Sequence, residues 1–184
     1  MLDAAKAGAL DVLFLLGADE IDTTVLGSTF VVYQGTLGDA GAHRADVVLP
    51  AAAYTEKSAT YVNTEGRAQM TAKAATPPGV AKDDWSILRA LSASCGQTLP
   101  YDDIATLRAA MYKAAPQLAR LGTVAPASAA TTLAGLTGQV AQAPFVNPIR
   151  DYYLTNPIAR ASAVMADMSA LKKNSTGAAL DAAE

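Results

Sequence analysis

Apolar and polar positions along this chain change rhythm several times, and each change marks an element. Leu2 to Leu10 has helical composition, with Leu2, Ala5 and Ala9 on one face. An unbroken apolar run follows, Val12-Leu13-Phe14-Leu15-Leu16, ending at Gly17. A run without alternation predicts a strand buried on both faces, as in a parallel sheet. The next loop carries Asp19, Glu20 and Asp22 and reads as solvated, because it lacks the glycine and glutamate spacing of a calcium loop. Second and third strands are predicted at Thr29–Tyr33 and Asp46–Leu49, the latter stopped by Pro50. About a dozen residues separate them, enough for one short helix near Asp39 to Arg44 as a right-handed crossover. Strand, helix and strand in that order predict an α/β sheet. The chain starts on a helix without a preceding strand, so the expectation is a sequence that begins part-way through a larger fold.

Farther along, Thr60–Val62 and Arg67–Met70 flank Asn63-Thr64-Glu65-Gly66, which predicts a hairpin or tight β-turn with Gly66 at positive φ. The Thr76-Pro77-Pro78-Gly79 stretch ends that pattern. Asp83 or Asp84 caps a predicted helix from Trp85 to Ser94, with Trp85, Leu88 and Leu91 at helical spacing and Gly96 after its end. A second helix is predicted from Asp102 to Ala115, with Ile104, Leu107 and Met111 on one face and Pro116 as its stop. Residues 122–143 are small and of low complexity, a linker or loosely packed arm. Asn156-Pro157, an N-cap with proline at the first helical position, opens a helix with Ile158, Ala161, Met165 and Met168 in one stripe. The tail from Asn174 is expected to fray. The resulting division is an α/β segment at 1–75, a helical continuation at 76–121, the linker at 122–143, a C-terminal helical segment at 144–173 and the tail at 174–184. The fold class is α/β: a partial Rossmann-like parallel sheet with crossover helices, followed by a mainly helical C-terminal extension.

Composition narrows the chemistry. Of the 51% hydrophobic residues in 184, alanine supplies 41, and each offers one methyl to a core. The net charge of −3, with no basic block longer than Lys172-Lys173, lacks the footprint of a nucleic-acid binder. No stretch approaches the ~18 apolar residues of a membrane span, and the start has no basic, apolar leader pattern. The chain is read as cytoplasmic and docked to something larger, without direct membrane insertion. A single cysteine, Cys95, excludes an internal disulfide, a cysteine-based zinc site and a self-contained iron-sulfur cluster, which takes about four thiolates. Cys95 itself, at a helix end, reads as a buried small residue.

Three constellations carry candidate chemistry. Gly35, Gly38 and Gly41 lie between a strand and a helix, where backbone N–H groups can hold an anion. Their spacing is not the dinucleotide fingerprint, and no acidic residue follows the third strand in the ribose-binding place. Ligand cradle and close backbone packing therefore both stand as readings. His43 is the only histidine, which excludes a multi-histidine metal site, and reads as a hydrogen-bonded residue at a helix end. Arg44 and Asp46 bracket the start of the third strand as a local pair. The densest polar cluster spans 54–69, with Glu56, Lys57, Asn63, Glu65 and Arg67. Glu56 and Glu65 can be read as an acid and base pair of a glycosidase, or the cluster as a turn-stabilising network with Arg67 paired to a carboxylate. No metal site and no catalytic residue is expected.

Five stretches, LFLLGADEID, FVVYQGTLGDAGAHRADVVLPAAAYTEKSATYVNTEGRAQ, DDWSILRALS, LPYDDI and DYYLTNPIARASAVMA, spread from about residue 10 to 170, carry a resemblance. In order, they are similar to the C-terminal part of the large iron-sulfur subunit of respiratory complex I, within the molybdopterin oxidoreductase-like superfamily. Leu37 stands where a histidine is common, and Ala51 and Ala59 where glycine is common. The resemblance implies an N-terminal region holding iron-sulfur clusters, followed by a molybdopterin-enzyme-like domain that usually carries no pterin or molybdenum. Only the last portion of that domain corresponds to this chain, so no cofactor is expected in it. The implied role is structural support of electron transfer from NADH to quinone, within an NADH dehydrogenase complex, without a redox centre in the segment. Implied partners are the remainder of the large subunit and other peripheral-arm subunits. The implied location is peripheral, on the cytoplasmic side of a bacterial inner membrane. Two alternatives from other classes stand beside it. One is a fragment of an active molybdopterin-dependent oxidoreductase that uses Gly35, Gly38, Gly41 and Arg67 to hold the cofactor. The other is a free nucleotide-binding module.

Overall fold

The computed structural model describes residues 1–124, 138, 142–147, 149 and 151–181, the last eight of these by their backbone alone. Most of the expected 122–143 linker lies outside the described residues. The chain divides into two units, Met1–Pro50 with Pro144–Glu184, and Ala51–Ala143. In the first, α1 (Leu2–Lys6) leads to β1 (Val12–Leu16), a 3-10 turn (Thr23–Leu26), β2 (Phe30–Gly35), α2 (Ala40–Arg44) and β3 (Val47–Pro50). The three strands form a parallel sheet in the order β1-β2-β3, with Val12 opposite Phe30 and Val32 opposite Val47. This is the mixed α/β architecture that the sequence pattern predicts. Helix α1 is shorter than its composition suggests, because the chain turns at Gly8 with φ +69°.

One face of the sheet makes the core. Leu13, Leu15, Val31 and Tyr33 pack with Ala5 of α1 and Leu26 of the 3-10 turn, and Ala42 of α2 joins the rim. Leu26 and Val31 are fully buried, and each such side chain contributes about 1.5–3 kcal/mol. The opposite face departs from expectation: β1 is not buried on both sides but alternates, with Leu13 and Leu15 inside while Val12 and Leu16 are 59% and 55% exposed. Phe30 and Val47 lie exposed on that same face. The cause is that α1, the 3-10 turn and α2 all supply core residues to one side.

The C-terminal part of this unit holds a 3-10 turn (Tyr152–Leu154), α5 (Pro157–Arg160) and α6 (Ala163–Asp181). Asn156 Oδ1 accepts from the Ala159 amide at 2.9 Å, the expected cap. The single helix predicted from this point is two, because Ser162 starts a new one, its Oγ accepting from the Met165 amide. The predicted stripe is re-registered accordingly. Ser169 is the buried position, hydrogen-bonded to Asp151, while Met168 and Ile158 are exposed. Helix α6 continues as far as Asp181, into the stretch from Asn174 expected to fray, the last three residues of which lie outside the described residues.

In the second unit, β4 (Thr60–Val62) and β5 (Ala68–Met70) pair antiparallel as predicted, and Gly66 takes φ +86° in the turn. Helix α3 (Asp84–Ser94) follows Asp83, and α4 (Ile104–Ala114) is capped by Asp103, whose Oδ1 accepts from Thr106 N at 2.7 Å. A further 3-10 turn covers Pro116–Ala119. Cys95 is exposed, contrary to the buried residue expected. It ends α3 immediately before Gly96 turns the chain at φ +76°, a surface corner.

Candidate functional site

The turn after β2 is built around its own side chains. Tyr33, fully inside the core, lies so close over Gly35 that a Cβ there would overlap the phenol. The Tyr33 hydroxyl donates to Asp19 Oδ2 at 2.5 Å, and Asp19 Oδ1 accepts from the Gly41 amide at 2.8 Å. A Cβ at Gly41 would stand 2.8 Å from Asp19 Oδ1 and 2.9 Å from the Ala18 carbonyl oxygen, so glycine is required by close approach. At Gly38 the same atom would meet only the Ala42 methyl, at 3.2 Å. Burial, and then the hydrogen bond and charge of Asp19, push the Tyr33 phenol above its ordinary range. The position at the start of α2 that could take an external anion therefore holds an internal one. Asp19 is 6% exposed, which corrects the solvated-loop reading for that residue, whereas Asp22 is exposed and caps the 3-10 turn.

A cation from the C-terminal helices closes over the same turn. The Arg160 guanidinium pairs with Asp39 through Nε and with Glu20 at 3.6 Å, and donates to the Leu154 carbonyl at 3.2 Å. A hollow of about 190 Å³ lies alongside, lined by residues 17–21 and Pro157.

The remaining residues singled out by sequence sit as follows. His43 is exposed on the last turn of α2. Arg44 donates to the Gly27 and Thr29 carbonyls at 2.9 Å each and approaches Asp46 at 3.5 Å, while Asp46 accepts from the Val31 amide at 2.7 Å. In the other unit, Glu56 accepts from the Ala53 amide at 2.9 Å. Asn63 Oδ1 accepts from the amides of Glu65 and Arg67, both at 3.0 Å. Arg67 pairs with Glu65 at 3.0 Å and donates to the Gly122 carbonyl at 2.5 Å. Gly35, Gly38 and Gly41 thus belong to one unit and Arg67 to the other. Among the described residues, no three His, Cys, Asp or Glu side chains gather as metal ligands.

Residues 1–94 match the family model described as molybdopterin oxidoreductase, half of the chain. The chain belongs to the molybdopterin oxidoreductase family. Residues 118–168 match a second model, which describes the C-terminal region of an NADH-ubiquinone oxidoreductase subunit. The chain is 47% identical over 84% of its length to the NADH-ubiquinone oxidoreductase 78 kDa subunit, mitochondrial, of Candida albicans, covering 23% of that protein. It is 46% identical over 88% to the protein of that name from Neurospora crassa, covering 23% of it. With the NADH dehydrogenase [ubiquinone] iron-sulfur protein 1, mitochondrial, of Solanum tuberosum it shares 41% identity over 94%, covering 26%. The chain spans about a quarter of the length of these curated relatives.

Membership of this family raises the question of a pterin cofactor. The residues of the glycine turn do not fit its phosphate: the Gly41 N–H is engaged by Asp19, and a phosphate there would face that carboxylate at contact distance. Sequence reasoning read Asp19 as a loop carboxylate only, and it did not pick out Tyr33, Asp39 or Arg160 as site residues. Their one legible signal is the lone core tyrosine two residues before Gly35, a polar hydroxyl in a strand otherwise suited to aliphatic side chains.

Proposed function

We propose that this chain is the C-terminal segment of the large iron-sulfur subunit of a complex I-type NADH:quinone oxidoreductase, contributing framework and contact surface without a redox centre of its own. The observation that carries this reading is the self-filled turn, in which Asp19 and Tyr33 take the space and hydrogen bonds that a cofactor phosphate would need. The relatives' names supply the assembly: they are NADH-ubiquinone oxidoreductase subunits, one of them named an iron-sulfur protein. Clusters belong, in this reading, to the part of the subunit beyond the quarter matched here, and one cysteine is consistent with that. The partners are the rest of the subunit, for which the open sheet face at Val12, Leu16, Phe30 and Val47 is the contact, and neighbouring subunits of the peripheral arm. None of the described helices is long and apolar enough to cross a membrane, which suits a peripheral position, on the cytoplasmic face in a bacterium. The experiment is metal and pterin analysis of the purified chain and of the complete subunit. Iron is expected only in the latter and molybdenum in neither. Stoichiometric molybdenum or pterin held by the chain alone would assign instead the fragment of an active molybdopterin enzyme.

A further inference from the structure

The sheet of the first unit has two edges of unlike character. On one side β3 is four residues long and ends at Pro50, which has no N–H to offer a neighbour. On the other side β1 reads Val12-Leu13-Phe14-Leu15-Leu16, without proline, glycine or charge, and among the described residues it pairs only with β2. The ladder fixes which of its backbone groups are free. At the two ends of β1 the Asp11 carbonyl accepts from the Phe30 amide at 2.9 Å, and the Gly17 amide donates to the Gln34 carbonyl at 2.7 Å. In a parallel strand the N–H and C=O of one residue point the same way, and successive residues point opposite ways. Asp11, Leu13, Leu15 and Gly17 are therefore turned toward β2, while Val12, Phe14 and Leu16 direct their N–H and C=O groups to the outer side. Natural sheets blunt such an edge with lysine, proline or a bulge; β1 has none of these, and its register with β2 is unbroken.

The handedness of the connections says what meets that edge. Ala5 of α1 and Leu26 of the 3-10 turn lie in the core cluster, and Ala42 of α2 packs against it, so the connections run over one face while the strands step in the order β1-β2-β3. Right-handed crossovers on one face all step in the same direction. Chain that enters α1 from a parallel strand therefore comes from beyond β1, the side on which the edge is open. We propose that β1 is an internal strand of the finished sheet, and that a parallel strand from the remainder of the large subunit occupies its outer edge. The identity of this partner rests on the framework reading above. The incoming strand matches the five residues of β1 and is apolar on both faces. On one face it extends the row of Leu13 and Leu15, which are buried, and on the other the row of Val12 and Leu16, which stand more than half exposed.

Residue-resolved amide exchange tests the pairing in the 184-residue chain, diluted until it sediments as a monomer, and in the complete subunit. In the chain, the amides of Val12, Phe14 and Leu16 are expected to exchange about tenfold or more faster than those of Leu13 and Leu15, whereas in the complete subunit all five are expected to be slow. Phe14→Pro removes an outward N–H and no bond to β2, so the chain should keep its far-ultraviolet circular dichroism. The complete subunit carrying the same substitution should regain fast exchange at Val12 and Leu16. Direction is read separately, from photo-cross-linkers placed at Val12 and at Leu16 of the complete subunit. Both should attach to one segment, the attachment from position 16 lying C-terminal to that from position 12; the reverse order overturns the parallel assignment. Fast exchange at Val12, Phe14 and Leu16 in the complete subunit, or slow exchange there in the monomeric chain, overturns the proposal itself. Metal and pterin analysis of the same subunit fails independently: bound molybdenum would sink the framework reading and leave the exchange pattern as it stands.

Discussion

The Tyr33 hydroxyl, the Asp19 carboxylate and the Gly41 amide form a chain of two hydrogen bonds inside a core otherwise lined by Leu13, Leu15, Leu26 and Val31. Tyr33→Phe preserves the ring's packing but leaves a buried carboxylate short of one donor, so a loss of about 1–3 kcal/mol in denaturant unfolding is expected. The pH dependence has a definite sign. The phenol is raised above its unfolded value of about 10, so its contribution is intact below that pH and declines as pH rises beyond it. Wild type should therefore lose stability above about pH 10 more steeply than Tyr33→Phe, and parallel curves in alkali would contradict the bond. Asp151 works in the opposite window. The hydrogen bond from Ser169, followed by the Tyr153 amide and the nearby lysines, outweighs burial and holds its carboxyl below the ordinary range. Stability from this group is present above about pH 4 and lost as pH falls through the lowered value, so a deficit of Ser169→Ala seen at neutral pH should disappear in acid. Gly35→Ala, where the added methyl meets the Tyr33 ring, should cost about 1–3 kcal/mol by overpacking.

Strand and helix positions were legible in the order of apolar runs, turn residues and caps, and the reversal at Asn63–Gly66 was legible as a hairpin or tight turn, which the structure resolves as a hairpin. Which face of the sheet would be covered was not. Val12 to Leu16 reads as continuous apolar sequence whichever side is open, because periodicity reports the elements a strand is built to meet and not those present around it. The glycine spacing was equally visible, yet what fills the turn comes from 14 and 22 residues away in sequence, and the clamp from 121 residues away. No local pattern encodes partners at that distance. The open face carries a prediction at this scale. Val12, Leu16, Phe30 and Val47 are exposed apolar side chains on one face of the sheet, and exposed apolar surface of this kind drives association. The isolated chain should bind a hydrophobic dye and sediment as concentration-dependent oligomers. Leu16→Thr with Phe30→Thr should reduce both while changing little of the circular dichroism, since neither side chain belongs to the buried cluster. A monodisperse wild-type monomer that excludes the dye would contradict the surface's role.

For the molecule as a whole, the C-terminal segment does more than continue the chain, because it returns a cation to the turn made by the first fifty residues. Arg160 lies between Asp39 and Glu20, and its side chain is three-quarters withdrawn from solvent, so these pairs are screened less than ordinary surface bridges. Asp39 precedes α2 and Glu20 adjoins Asp19, so releasing both loosens the loops that deliver Asp19 to the Gly41 amide. Arg160→Leu is accordingly expected to cost about 1–2 kcal/mol, a charge-assisted hydrogen bond discounted for the exposure of its carboxylate partners. It should also act at a distance in sequence. Amide exchange should accelerate at Gly41 and His43 as well as at Arg160 and Ala161, and Arg160→Lys should recover part of the protection through charge alone. Exchange that quickens only within the C-terminal helices, with Gly41 unchanged, would mean that Arg160 merely decorates the surface and that the turn is held by Tyr33 and Asp19 unaided.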